Sequence, residues 1–391
     1  MSRASAFDIN AKLTIFANVY LCTLPALVII FLPMLVGGLI ENLGLNQQDA
    51  GYVVTLDMLG YTVGTIASFF FIHRANWRYL ALGCIVMMAL VNGLSAHISD
   101  YYTLLGARFA SGFCGGVLTA VTFAVMGQMR DPDSAYGWWL VFQAAFGVVG
   151  FKYFWVIGVS GGFIALAVML VLGGALFRFI PEQALKTEQA ASAGEKRLSI
   201  KAVAGVLAIL LVYVGLMTEY TYLERIGNAG GLSPDDIGTA FSAMSIAGLV
   251  GGGAAAKLGA NYGRLLPVVF GVLGCVVSFY LLSSTSISAL YFAISCCVYF
   301  GFWSFLLPYL VGACAAVDVS GRLLSLANAA IGAGLAFGPF IAANLINEGS
   351  FVLIAVVATA FLTLGFALIV PLLKESQRKD RLDDKAFPVA G

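Results

Sequence analysis

The chain has 391 residues, 60% of them hydrophobic and 10% charged, with a mean hydropathy of +0.94 and a formal net charge of +1. That balance excludes a soluble domain and leaves no basic surplus for nucleic acid; it describes an integral membrane protein. All seven cysteines (Cys22, Cys84, Cys114, Cys275, Cys296, Cys297 and Cys314) fall inside apolar runs, so they read as packing residues, with no disulfide framework and no metal pattern.

Apolar runs of roughly twenty residues, each able to cross ~30 Å of hydrocarbon as a helix, recur from end to end. About twelve spans are predicted: 15–40, 50–72, 79–97, 101–127, 135–153, 156–179, 202–226, 236–256, 265–284, 288–312, 323–345 and 350–373. The first is too long for a cleavable leader and reads as a permanent span. With a cytoplasmic N-terminus, Arg3, Lys12, Arg74, Arg78, Arg130, Arg178, Lys186, Lys257, Arg264, Arg322 and the tail from Lys374 face the cytoplasm, while acidic residues such as Asp49, Asp100, Asp235 and Asp236 face the other side. The positive-inside rule therefore places both termini in the cytoplasm of an inner, or plasma, membrane.

The longest polar interruption, Pro181 to Lys201, follows the sixth span and reads as a linker. It divides the chain into a six-helix bundle (1–180), the linker (181–201), a second six-helix bundle (202–373) and a cytoplasmic tail (374–391). The halves correspond: GLNQQDAG (Gly44 to Gly51) and GLSPDDIG (Gly231 to Gly238) each lead into a span, Gly64 aligns with Gly251, and QAAFG (Gln143 to Gly147) with NAAIG (Asn328 to Gly332). A parallel duplication of this kind predicts a solute site near the membrane midplane between the halves.

Two further motifs carry a family resemblance. The loop HRANWR (His73 to Arg78) and its counterpart ANYGRL (Ala260 to Leu265) keep Arg74, Arg78, Gly263 and Arg264, and ARFASGFCGG (Ala107 to Gly116) sets Arg108, Gly112 and Gly116 in an Arg-Phe-x-x-Gly-x-x-x-Gly pattern. Across the whole chain this resembles the major facilitator superfamily, whose cytoplasmic loop between the second and third helices usually reads Gly-x-x-x-Asp-Arg-x-Gly-Arg-Arg. The resemblance implies an all-α membrane protein of two pseudo-symmetric six-helix bundles, and a gating role for Arg74, Arg78, Gly263 and Arg264. Both loop copies depart from the family pattern: His73 and Ala260 stand where it has Asp.

Three ionisable residues sit well inside spans. At 1.5 Å per residue, Asp57 lies about 9 Å, Arg108 about 10 Å and Glu219 about 12 Å from the non-cytoplasmic ends of the second, fourth and seventh spans. Unpartnered charge in hydrocarbon is costly, so these groups are expected to pair, to be wetted, or to trade a proton for a partner. Asp57, Arg108 and Glu219 are the candidate proton-coupling residues. Glu41, Lys152, Glu224 and Arg225, nearer span ends, are expected to snorkel to the interface.

Solute contacts are sought where polar and aromatic residues share a helical face. Trp139 and Gln143 are one turn apart in the fifth span, with Asn328 as the counterpart of Gln143; Tyr299 and Trp303 are one turn apart in the aromatic tenth span, and Tyr220 adjoins Glu219. Together with Arg108, the one strong anchor for a carboxylate, these are the candidate substrate-binding residues. No phosphate-binding loop or nucleophile motif is present, so the expectation is no enzyme and no cofactor, but a monomeric secondary transporter of a small organic solute and protons, embedded in membrane lipid. An organic or aromatic acid is favoured, with export of amphipathic compounds against protons as the alternative and a receptor or lipid transporter on the same fold as a further one.

Overall fold

The computed structural model describes residues 8–72, 74–183, 199–259, 263–284, 288–317, 322–346 and 351–386, with 322 and 379–386 as backbone only. The described residues are helical, apart from the turns that join them. Contacts divide the chain into two compact units, Met1–Gln189 and Ala190–Gly391.

The first unit contains α1 (Lys12–Ile30), α2 (Leu32–Leu43), α3 (Gln47–Phe71), α4 (Trp77–Ser95), α5 (Tyr101–Met126) and α6 (Pro132–Gly174). Polar side chains cap the helices that follow turns: Asn46, Asn76, Asp100 and Asp131 each accept a backbone N–H three residues on. The predicted first span is two helices. Its break at Phe31 precedes Pro33, which lacks a donor and falls in the first turn of the new helix, where none is needed.

The predicted fifth and sixth spans are joined without a loop. A straight α6 would measure about 65 Å, twice the hydrocarbon thickness. It is interrupted at Gly158, whose φ of 64° and ψ of −179° are open to glycine and not to an L side chain. The two arms run back alongside each other: Phe142 and Met169 both reach the Phe16–Tyr20 stretch of α1, and Phe154 and Val159 both meet Gly38 of α2. The Asn42 amide oxygen accepts the Val159 N–H at 3.1 Å and so caps the second arm. Asn42→Ala is expected to cost about 1 kcal/mol, read as a lower thermal midpoint and faster amide exchange at the start of that arm.

The second unit contains α7 (Ile200–Thr221), α8 (Leu223–Ala229), α9 (Pro234–Leu258), α10 (Leu265–Leu282), α11 (Ala289–Val317), α12 (Arg322–Leu345) and α13 (Val352–Ala386). It repeats two features of the first. Its opening span also breaks, at Tyr222, here without a nearby proline. Thr218 and Thr221 instead turn their hydroxyls back onto the Val214 and Met217 carbonyls, a bond that bends helices. Gly64 of α3 lies against the Phe113 carbonyl of α5, and Gly251 of α9 lies against the Gly301 carbonyl of α11. Eleven of the described helices are long and apolar enough to span a membrane. With α6 folded at Gly158, they account for the twelve predicted crossings.

Candidate functional site

The geometry of the first unit's polar centre begins with glycine. Along α5, Gly112 and Gly116 face the backbone carbonyls of Asp57 and Tyr61 on α3, so closely that a Cβ at either position would overlap the oxygen. Small residues allow this approach between membrane helices. Arg108 lies one turn before Gly112 on the same helix, and the close packing sets it beside Asp57.

Arg108 and Asp57 are both fully enclosed, and Nη1 of Arg108 donates to Oδ2 of Asp57 at 3.3 Å. Nη1 and Nη2 both donate to the amide oxygen of Asn92 at 3.1 Å, and Nη2 donates to Ser95 Oγ at 2.9 Å. Asn92 is held in turn, donating to the Met88 carbonyl at 2.8 Å and to Ser111 Oγ at 3.0 Å. The guanidinium carbon sits 4.4 Å from the centroid of the Phe163 ring, on the second arm of α6. A desolvated contact of that kind is worth about 2 kcal/mol. Arg108 Nε has no hydrogen-bond partner among the described residues. Beside Asp57, a crevice bounded by Pro25, Tyr61, Ser111 and Gly112 encloses about 10 Å³, at the lower limit for one water molecule.

Asn92, Ser95, Ser111 and Phe163 were not among the sequence candidates. Asn92 and Ser95 carried a signal, two polar residues at i, i+3 near the end of an otherwise apolar span. Phe163 carried none.

The other first-unit candidates lie elsewhere. Trp139 packs edge-on against Phe123, ring centroids 4.9 Å apart, and Gln143 is half-buried one turn on. The indole N–H of Trp139 and the Gln143 amide nitrogen are both buried without a partner among the described residues. Arg78 is tied to the chain leaving the second arm of α6: Nε donates to the Ile180 carbonyl and Nη1 to Glu182, both at 3.0 Å. Arg74 is exposed, and His73 lies outside the described residues.

In the second unit, Glu219 is buried near the break between α7 and α8, and neither carboxylate oxygen has a hydrogen-bond partner among the described residues. Aromatic rings crowd the next residue: Tyr220 lies 5.5 Å from Trp303 and 6.3 Å from Tyr299, centroid to centroid. The Tyr299 hydroxyl donates to the Leu216 carbonyl at 2.6 Å. Asn328 is exposed. Arg264 donates to Ser376 Oγ at 3.3 Å, while the Gln377 amide, oriented to accept, takes the Arg264 and Leu265 N–H groups at 2.9 and 3.0 Å. Gly263, with φ of 72°, lies directly against the Gln377 side chain, and Ala260 lies outside the described residues. Each unit thus fastens the loop between its second and third spans to the end of its own last span.

One expectation is corrected. Glu224 and Arg225 do not snorkel: they form a buried bidentate pair at 2.5 and 2.7 Å, since a carboxylate and guanidinium that neutralise each other need not reach the interface. Glu41 and Lys152 are exposed.

The family model of the Major Facilitator Superfamily matches residues 19–320, and the chain belongs to that superfamily. It is a multi-pass membrane protein of a transporter fold. Among solved structures, it is similar to a D-xylose-proton symporter at 15% identity and a TM-score of 0.76, covering 93% of this chain and 99% of that one. It is also similar to the nucleoside transporter NupG, solved as a point mutant, at 11% identity and a TM-score of 0.73, covering 94% and 99%. A bacterial homologue of the human lysosomal transporter Spinster, inward-facing and unoccupied, matches at 12% identity and a TM-score of 0.61, covering 96% and 97%. Among curated proteins, none matches the sequence significantly.

Proposed function

We propose that the protein is a secondary active transporter that moves a small organic solute by alternating access and couples it to protons, in an inner or plasma membrane with both termini cytoplasmic. The observation that carries this reading is the buried Asp57–Arg108 pair beside a water-sized crevice. A carboxylate held by one guanidinium in low dielectric has two stable conditions, ionised with its partner and protonated without it. Arg108 has fixed alternatives in Asn92, Ser95 and Phe163, so it retains contacts when Asp57 takes a proton. Proton symport by one structural neighbour, the D-xylose-proton symporter, is in line with proton coupling.

With both terminal nitrogens of Arg108 engaged inside the first unit, the solute contacts assigned to that unit fall chiefly to Trp139 and Gln143. Their unpartnered donors, one turn apart, suit an acceptor such as a carboxylate or hydroxyl, which favours an organic or aromatic acid. A second reading has its own observation: the uncompensated carboxylate of Glu219, beside Tyr220, Tyr299 and Trp303, offers charge and ring faces to an amphipathic cation, for which antiport is expected.

Flux into proteoliposomes under an imposed pH gradient tests both. A panel of aromatic acids, sugars, nucleosides and cationic dyes is screened with the wild type, Asp57→Asn and Glu219→Gln. The expected result is acid uptake that the gradient accelerates at least tenfold, with Asp57→Asn reducing the acceleration to less than twofold. Acceleration unchanged in Asp57→Asn removes Asp57 from coupling. Dye efflux abolished by Glu219→Gln, with no acid uptake, favours the second reading.

A further inference from the structure

Within the first unit, α1, α2 and the two arms of α6 enclose a cavity of about 240 Å³ that the transport reading does not use. Every side chain on its wall is apolar, from Leu27 and Leu35 at one side to Phe146 and Met169 at the other. Apolar cavities of roughly 150 Å³ already stay dry and take a benzene-sized guest. A solute that needs hydrogen bonds would find none here and would lose its hydration without compensation.

The shape says more. On the first arm the wall runs from Phe146 to Ile157, about 16 Å at 1.5 Å per residue. That is about half of the ~30 Å hydrocarbon core, the depth of a single leaflet. The wall ends beside the Gly158 turn, which the charge distribution places on the non-cytoplasmic side. Its rim is open: Val149 is 59% and Ile157 47% exposed, among the further exposed apolar residues Val141, Tyr153 and Val156 of the same arm. The same exposed stretch carries Lys152, six residues before the Gly158 turn, whose stem lies along apolar surface while its ammonium reaches the headgroup level; the apolar side chains around it suit hydrocarbon.

We propose that this cavity is a binding site for one acyl chain of a phospholipid in the non-cytoplasmic leaflet. The occupant has a direct mechanical neighbour. Phe163 forms part of the cavity wall, and its ring lies over the Arg108 guanidinium. Phe163 is already packed by protein, only 5% exposed, and a chain in the cavity adds contacts behind the ring on the side away from Arg108. Lipid occupancy is thereby linked to the Asp57–Arg108 pair. The site itself stands whether or not the pair couples protons.

The test uses the full-length protein in vesicles of a phospholipid that carries a photoactivatable diazirine in the middle of one acyl chain, with labelled peptides mapped by mass spectrometry. Labelling is expected to concentrate on residues 146–169 and 27–35. Ala165→Phe, which fills the cavity, and Val149→Phe, which closes its rim, are expected to lower it there at least fivefold, while labelling of the exposed α10 residues Phe270 and Leu273 stays constant. Val149 is exposed, so its variant remains informative if Ala165→Phe does not fold. Labelling at 146–169 that is no stronger than at α10, or that neither variant reduces, overturns the proposal. So does labelling of the cavity by a diazirine-bearing alkylbenzene when the phospholipid gives none, which assigns the cavity to a free apolar solute.

Discussion

Asp57→Leu is expected to lower the unfolding free energy by about 3–5 kcal/mol, because it strands the Arg108 guanidinium in the interior of the first unit with its charge unopposed. Asn92 and Ser95 remain as acceptors, but neutral dipoles do not replace a carboxylate. Arg108→Leu is expected to cost a similar amount, since it leaves Asp57 without its donor. The double variant Asp57→Leu/Arg108→Leu is expected to recover most of the loss: an ion pair removed whole is often replaced by packed apolar groups at little cost. The seven free cysteines, five of them buried, provide the readout, because a thiol-reactive dye reports their exposure as the protein is heated. Single variants as stable as the wild type would mean that the pair is wetted. A double variant no better than the worse single would mean that it holds the helices by shape and not by charge. The same protein tested for flux separates the two roles: the double variant folds and is expected to lose gradient dependence.

The second large effect is expected at Gly112. A Cβ there overlaps the Asp57 carbonyl oxygen, which belongs to backbone and cannot swing aside, so α3 and α5 must move apart. Gly112→Ala is expected to cost about 1–3 kcal/mol, the usual range for overpacking. Gly112→Leu is expected to abolish the folded monomer in detergent, seen by size-exclusion chromatography. The control lies on the same helix. Gly106 has open space around its missing Cβ, so Gly106→Ala is expected to be neutral or to stabilise by up to about 1 kcal/mol through helix propensity. Equal effects at the two positions would remove the close approach as the explanation.

Hydropathy made the spans legible because a helix that crosses lipid must be apolar along its whole length, and only its polar punctuation varies. The same uniformity hid the breaks. Phe31 and Tyr222 interrupt predicted continuous spans, and the deciding features, Pro33 in one case and back-bonded threonines in the other, are no different in type from prolines and threonines tolerated inside unbroken helices. The joint at Gly158 was blurred in the other direction: the spans were separated at 153–156, and the turn proved to be one residue, two positions later.

At the site, charge was easy to find and partnership was not. Asp57 and Arg108 announced themselves by their cost in hydrocarbon, whereas Phe163 is one of 29 phenylalanines and acquires its position only from the fold of α6. Periodicity also set Trp139 and Gln143 on one face correctly, but it could not say that Trp139 would lie edge-on to Phe123. Adjacent residues mislead in their own way. Neighbours on a helix usually point apart, yet Glu224 and Arg225 close on each other at the start of a short helix.

The loop fastenings bear on how the molecule is assembled. Arg78 is secured to Ile180 and Glu182, and Arg264 to Ser376 and Gln377, so each of these ties joins residues of one bundle. Severing the polypeptide between Gln189 and Ala190 would leave all of these ties whole. The order of each of these loops is thus set locally, by the bundle that carries it.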